Sequence, residues 1–316
     1  MQQAKNLFIS VIIPCFNEEQ VIAHTYERVN KTMQSFEHRG YELIFINDGS
    51  RDKTLELLRA IAQKDSKVKV VSFSRNFGHQ PAVTAGINIC TGDVAIIIDG
   101  DLQDPPELFP EMIKMHLEQH ANVVYGLRGE RKGETFFKKL SAKYFYKTIN
   151  FLSDTKLPVD TGDFRLIDKH VIEAFKSLPE KNKYIRGLIS WIGFKQVPIT
   201  YVRDERFAGE TKYPLSKMIK FASTSLLYFS KKPLKLALTI GLISIFIGIG
   251  LAIWVITGLI YRTNSIVPGW ASTIIALIFF GGIQLLTIGV LGEYLGNMFE
   301  EIKNRPEYII HEKINF

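Results

Sequence analysis

The sequence predicts an α/β fold with a mostly parallel, Rossmann-like sheet, followed by two membrane-crossing helices. Two observations carry the first part. Apolar runs rich in β-branched residues alternate with helical patterns as far as Ile98, and each run ends in a polar, turn-forming cluster. A third observation carries the second part: beyond Leu234, two stretches long enough to span a bilayer have no charge.

Taken in order, Phe8 to Ile13 reads as the first strand and ends at Pro14-Cys-Phe-Asn-Glu18. Glu18 to about Arg39 turns helical, with Val21, Ile22, Tyr26 and Val29 on one face and Gly40 as the stop. Leu43 to Ile46 gives the second strand, running into Asn47-Asp-Gly-Ser-Arg-Asp52. A helix from Lys53 to about Lys64, a strand from Val68 to Phe73 and the loop Ser74-Arg-Asn-Phe-Gly78 follow. After another helix, ending near Gly92, the unbroken apolar run Val94 to Ile98 reads as a central strand of a parallel sheet. No GxGxxG follows the first strand and there is no Walker lysine loop, which disfavours dinucleotide and P-loop sites.

The fourth strand delivers Asp99-Gly-Asp-Leu-Gln-Asp-Pro-Pro-Glu107 to the sheet edge where ligands of open α/β sheets bind. An Asp-x-Asp pair in a turn is a hard-oxygen site suited to Mg²⁺ or Mn²⁺. Such an ion takes one or two carboxylates and completes its shell with phosphate oxygens and water, which suits a nucleotide diphosphate. Asp and Gly are frequent in turns anyway. What favours a site is that all four strands end in polar groups within reach of one crevice.

Composition narrows the partners. The net charge of +7 comes without a nucleic-acid motif, and Lys and Arg gather near the hydrophobic segments, so a membrane surface and anionic phosphates are the expected partners and nucleic acid is not. Cys15 and Cys90 show no metal-binding spacing and are expected to be reduced and structural. The run from Leu7 to Pro14 is too short for a signal-peptide core, and Glu18 and Glu19 follow it, so this portion is expected not to be exported.

The four loops Pro14-Cys-Phe-Asn-Glu18, Asn47-Asp-Gly-Ser50, Ser74-Arg-Asn-Phe-Gly78 and Asp99-Gly-Asp-Leu-Gln-Asp-Pro-Pro106 together resemble family 2 glycosyltransferases of the GT-A fold. Within that family the likeness is to the polyisoprenyl-phosphate glycosyltransferases, the bactoprenol glucosyltransferase and dolichol-phosphate mannosyltransferase group. The resemblance implies a nucleotide-sugar site in which Pro14, Phe16, Asn17 and Glu18 line the nucleoside pocket and Asp48 accepts a hydrogen bond from the base. It puts Asp99 near the ribose or the base-proximal phosphate, and Asp101 and Gln103 on the divalent cation. Phe16 departs from the tyrosine also common at its position.

Further along, Asn122 to Tyr125 reads as a short strand leading to Gly126-Leu-Arg128. Arg131 to Lys147 carries six Lys or Arg interleaved with aromatic residues at helical spacing. By resemblance this region faces the lipid phosphate, making Arg128, Arg131, Lys138 and Lys139 candidate acceptor-phosphate contacts. Asp160-Thr-Gly-Asp-Phe-Arg165 resembles a second acidic motif, in which Asp163 or Asp160 orients the attacking phosphate or acts as base. The loop from Arg203 to Tyr213 resembles a flexible clamp, with Arg206 and Lys212 folding over the diphosphate. Asp101, Asp163 and Arg206 are thus the expected catalytic set.

The expected organisation is a cytoplasmic GT-A catalytic domain over 1–213 and a juxtamembrane interfacial helix over 214–233. Transmembrane helices follow over 234–261 and 271–295, with a short extracytoplasmic loop over 262–270 between them and a cytoplasmic tail over 296–316. Packing against the catalytic domain would give the juxtamembrane helix the same pattern. Lys231, Lys232 and Lys235 before the first span, and Lys303 and Arg305 after the second, orient both ends toward the cytoplasm. Trp270 is placed as an interfacial anchor and Trp254 in a helix contact. Glycines such as Gly248 and Gly282 would let helices approach closely within the pair or between copies, the latter making a homo-oligomer. The implied reaction is inverting transfer of one sugar, UDP-glucose preferred over GDP-mannose, to a polyisoprenyl phosphate. Two alternatives stand beside it. A processive polysaccharide synthase would carry a Gln-x-x-Arg-Trp motif and more membrane helices, neither of which is visible; a non-catalytic nucleotide-sugar-binding regulator would keep the pocket without turnover.

Overall fold

The computed structural model describes residues 4–129, 161–181, 183–202, 232–260 and 269–316. They fall into an α/β unit, which takes in everything before residue 203 and the segment from Arg305 to Phe316, and a helical unit built from the two long helices.

The α/β unit starts with strand β1 (Phe8–Cys15), helix α1 (Ile22–Gln34), β2 (Gly40–Asn47) and α2 (Thr54–Lys64). It continues with β3 (Val68–Phe73), α3 (His79–Ile89) and β4 (Val94–Ile97). β4, β1, β2 and β3 lie side by side and all parallel, with Ile9 opposite Val94 and Leu43 opposite Val68. Their unbroken apolar runs follow from burial on both faces. Ile9, Val11 and Ile13 share a core with Ile22, Val29 and Met33 of α1 and with Phe109 and Met112. On the opposite face, Ile12 meets α3 at Gly86, where a Cβ would stand 2.2 Å from Ile12 Cγ2. Only a glycine lets that helix lie so close to the sheet.

The rest of the sheet is mixed. After α4 (Phe109–Gln119) come β5 (Val123–Arg128), β6 (Thr161–Asp168), α5 (Lys169–Ser177), α6 (Ile185–Ile192) and β7 (Gln196–Tyr201). β6 inserts between β4 and β5, antiparallel to both, while β5 and β7 pair in parallel. Asp168 ends β6 and caps α5, its carboxylate accepting from Val171 N–H at 3.0 Å. The last strand, β8 (Ile310–Ile314), lies antiparallel to β3 at the other edge, so the sheet runs β7-β5-β6-β4-β1-β2-β3-β8. Residues 296–316, expected as a tail, therefore end in a strand of the α/β unit.

The helical unit consists of α7 (Lys232–Ile260) and α8 (Trp270–Ile302), which pack on each other, Gly248 lying against the Phe280 ring. Each contains a segment long and apolar enough to cross a membrane: Leu234–Trp254 with mean hydropathy 2.5, and Ile275–Ile302 with 2.2. A core helix would bury its apolar side chains, yet Phe246, Leu277 and Leu285 are 71%, 72% and 71% exposed. In water each such side chain forgoes roughly 1.5–3 kcal/mol of burial, so the surface suits lipid. Of the juxtamembrane helix expected over 214–233, residues 214–231 lie outside the described residues, as do the connecting residues 261–268.

Candidate active site

The four parallel strands bring their C-terminal loops to one edge, and hydrogen bonds stitch neighbouring loops together. Asn17, in the left-handed region at φ 55°, donates its N–H to Ser50 Oγ at 2.9 Å, and its side-chain oxygen accepts from Arg51 N–H at 2.8 Å. Glu18 N–H donates to Thr54 Oγ1 at 2.8 Å. Pro14 is buried under this turn, Phe16 and Glu18 are half-buried, and Asn17 is exposed.

Asp48 does for the second and third loops what Asn17 does for the first and second. Its carboxylate, 3% exposed, accepts from Phe77 N–H at 2.6 Å, Gly78 N–H at 2.9 Å and Asn76 Nδ2 at 2.8 Å. Burial pushes the Asp48 carboxyl above its ordinary pKa, against the pull of those donors. The resemblance makes Asp48 an acceptor for the base; in the structure its oxygens also hold the loop after β3. Gly49 makes the approach possible at φ 63°, since a Cβ there would stand 2.3 Å from the Arg75 carbonyl carbon.

The loop after β4 is anchored from α1. Thr25 Oγ1 donates to the Gly100 carbonyl at 2.9 Å, and Arg28 pairs with Glu107 through Nε at 2.7 Å and Nη2 at 2.8 Å. Between these anchors Leu102 is buried with φ 58°, a conformation costing a branched residue about 1–2 kcal/mol. The strained turn sets Asp101 and Gln103 side by side, Gln103 N–H donating to Asp101 Oδ1 at 3.2 Å. Asp104, fully buried, accepts from the Tyr201 hydroxyl of β7.

Behind Asp99 lies a charged cluster that sequence reasoning did not assemble. Asp163, 4% exposed on β6, accepts from Arg186 Nε at 2.7 Å and Nη2 at 3.2 Å, and shares a 2.9 Å hydrogen bond with His79 Nε2. Gln80 completes the shell: its Nε2 lies 3.4 Å from Asp163, and its Oε1 accepts from Ile185 N–H at 2.9 Å. Burial opposes ionisation of Asp163, but Arg186 and His79 outweigh it and hold the carboxyl well below the carboxylate range. His79 is half-buried, and against its partial desolvation the Asp163 hydrogen bond and the charges of Asp99 and Asp163 lift its imidazole to about 9. His79 follows a recognised loop, but Arg186 lies in an ordinary amphipathic helix, where no local spacing signals it.

Asp99 stands 3.8 Å from His79 Nε2, with Oδ1 buried and without a hydrogen-bond partner. Burial, with the charges of Asp104, Asp163 and Asp101, pushes its pKa up to about 6. An orphaned carboxylate oxygen in an acidic pocket next to Asp101 and the Gln103 amide is a donor set that fits a divalent cation. Among the described residues no group of three His, Cys, Asp or Glu would hold a metal unaided.

Of the other expected residues, Arg128 closes β5 opposite Tyr201. Arg131, Lys138, Lys139, Asp160, Arg206 and Lys212 lie outside the described residues.

Parallel strands with an acidic crevice at their carboxyl ends, extended beyond β4 through one antiparallel strand, define a GT-A fold. Residues 10–175 match the model of glycosyl transferase family 2, and the chain belongs to that family. It is 47% identical over 309 residues to an uncharacterised glycosyltransferase of Bacillus subtilis, YkcC, covering 98% of this chain and 95% of that one. It is 41% identical over 305 residues to a prophage bactoprenol glucosyl transferase homolog of Escherichia coli, covering 96% and 98%. The bactoprenol glucosyl transferase of Shigella phage SfII is 40% identical over 302 residues, covering 96% and 97%. Among solved structures, a mycobacterial protein shares the fold, with TM-score 0.52 and 20% identity over 72% of this chain and 77% of that one.

Proposed function

We propose that this glycosyltransferase moves a single glucosyl residue from UDP-glucose to the phosphate of a polyisoprenol at the cytoplasmic membrane face, with inversion and with help from Mg²⁺ or Mn²⁺. The observation that carries the reading is the likeness of about 40% to bactoprenol glucosyl transferases along nearly the whole chain, the two apolar helices included. The acceptor chemistry fits those helices: a polyisoprenyl chain stays in the bilayer while its phosphate lies at the interface.

In this reading Pro14, Phe16, Asn17 and Glu18 line the nucleoside pocket, and Asp48 acts one step back, through the loop whose amides it holds. Asp101 and Gln103 would hold the cation, which neutralises charge building on the departing diphosphate. Asp99, with its orphaned oxygen, faces the same ion or the ribose. Asp163 is a positioning residue: tied to Arg186 and held ionised, it is a poor proton acceptor but a firm support for His79. The need for a base is small, since a phosphate monoester already carries a negative oxygen near neutral pH. Positioning and charge neutralisation supply most of the acceleration. Arg206 and Lys212 are the proposed clamp on the diphosphate, and Arg128, Arg131, Lys138 and Lys139 the proposed contacts to the acceptor phosphate.

The test is sugar transfer by the detergent-purified chain from labelled UDP- and GDP-sugars to undecaprenyl or dolichyl phosphate, with and without EDTA. One EDTA-sensitive glycolipid carrying one sugar is expected. Asp101→Ala should lose at least about 100-fold in kcat with its fold and membrane insertion intact. A growing polymer, or nucleotide binding without transfer from any donor, would overturn the reading.

A further inference from the structure

The segment that follows α8 does more than cover the edge of the sheet. Asn304, at φ 48°, turns the chain, and residues 305–309 then run past the donor-side loops before β8 begins. Ser74 N–H donates to the Ile309 carbonyl at 3.0 Å. The Tyr308 ring stacks on Phe73 with centroids 4.9 Å apart and planes 12° from parallel, while its hydroxyl accepts from Asn88 Nδ2 of α3 at 3.2 Å. Phe73 in turn meets Phe77 edge-on at 5.8 Å, and Phe77 is the residue whose N–H reaches Asp48.

Glu307, one residue earlier, pairs with Lys183 at 2.8 Å, their side chains only 10% and 8% exposed. Lys183 lies two residues before Ile185, whose N–H holds Gln80, and three before Arg186, which holds Asp163. A desolvated pair of this kind fixes geometry far more than an exposed one does. Neighbouring residues of one segment thus reach both sides of the site: Tyr308 the loop 74–78, and Glu307 the start of α6.

We propose that Tyr308 and Glu307 are positioning residues for the nucleoside diphosphate of the donor. They set the loop 74–78 and the α6 end of the His79–Asp163–Arg186 cluster, so the stretch returning from the second long helix completes the donor site. The inference rests on the nucleotide-sugar reading above. Loss of Tyr308 should leave the parallel strands in place but let loop 74–78 drift, weakening donor binding more than acceptor binding.

The experiment compares the full-length chain in detergent with Tyr308→Leu, which keeps apolar packing on Phe73, with Glu307→Gln, and with Glu312→Gln as control. Glu312 pairs with Arg59 in the same segment but away from the loops. Two readouts are taken: hydrogen exchange of the Phe77 and Gly78 amides, and the Kd for UDP and GDP with Mn²⁺, alongside KM values for donor and acceptor. Tyr308→Leu is expected to speed exchange at Phe77 and Gly78 and to raise nucleotide Kd and donor KM about fivefold or more, with acceptor KM unchanged. Glu307→Gln should raise nucleotide Kd, and Glu312→Gln should not. Faster exchange without a change in nucleotide affinity would reduce the segment to a strut and overturn the proposal, as would equal effects from all three variants. A wild-type chain that binds neither nucleotide would instead sink the functional reading itself, so the two failures are distinct.

Discussion

Replacing Arg186 with Met isolates the contribution of the buried cluster. Asp163 is 4% exposed and takes two N–H donors from Arg186, at 2.7 and 3.2 Å. Removing one partner of a fully buried pair costs about 3–5 kcal/mol, because the remaining charge is stranded in low dielectric. Two features of this site reduce that figure. The Arg186 side chain is 29% exposed, so part of its charge is screened, and His79 remains 2.9 Å from the carboxylate as a second cation. A loss of about 2–3 kcal/mol is the expected result. For a domain of this size it corresponds to a fall of roughly 5–10 °C in the unfolding midpoint. The assay is thermal unfolding of the full chain in detergent, followed by near-UV circular dichroism at one scan rate, for wild type, Arg186→Met, Asp163→Asn and the double variant. The double variant should be less destabilised than the sum of the singles by more than about 1 kcal/mol, since its buried carboxylate is gone. Strict additivity, or a midpoint for Arg186→Met within about 1 °C of wild type, would refute the reasoning.

Two further outcomes follow from the same geometry. His79 has a folded pKa of about 9, above the ordinary value near 6.5, so its stabilisation is complete below about pH 6.5 and lost as pH rises through 9. Unfolding midpoints in EDTA should decline over that window in wild type but not in His79→Gln, and parallel curves for the two would remove the charge on His79 from the account. Gly49→Ala should lower stability by about 1–3 kcal/mol, because φ 63° is strained for alanine and its Cβ would strike the Arg75 backbone. The same variant should bind nucleotide more weakly, which calorimetric titration with UDP and Mn²⁺ checks.

How much of this was legible in the sequence depends on how local each signal is. β1 to β4 announce themselves because strands covered on both faces must be apolar throughout, as Val94 to Ile97 are. Asp99 and Asp101 were legible for the same reason, standing directly after such a run. β6 was harder to see. Asp163 and Arg165 point polarity into a buried strand, so Thr161 to Asp168 reads as a motif rather than a strand, although Phe164 and Leu166 are fully buried. The Asp163 partners were out of reach altogether: His79 is 84 residues away and Arg186 is 23, and only the antiparallel insertion of β6 beside β4 brings them together. Asp48 was found, but whether a loop carboxylate faces a ligand or three neighbouring amides is decided by tertiary packing.

β8 was missed because an edge strand buries one face only, and its Ile-His-Glu-Lys-Ile pattern is too short to stand out from a charged tail. Its position nevertheless bears on the membrane arrangement. α7 and α8 lie in the chain between β7 and β8, two strands of one sheet, and β8 reaches β3 over Val70 to Phe73. A chain that crosses a bilayer once cannot return to a sheet on the side it left, whereas two crossings can. The pairing of β8 with β3 is met by an even number of crossings, none or two, and not by one.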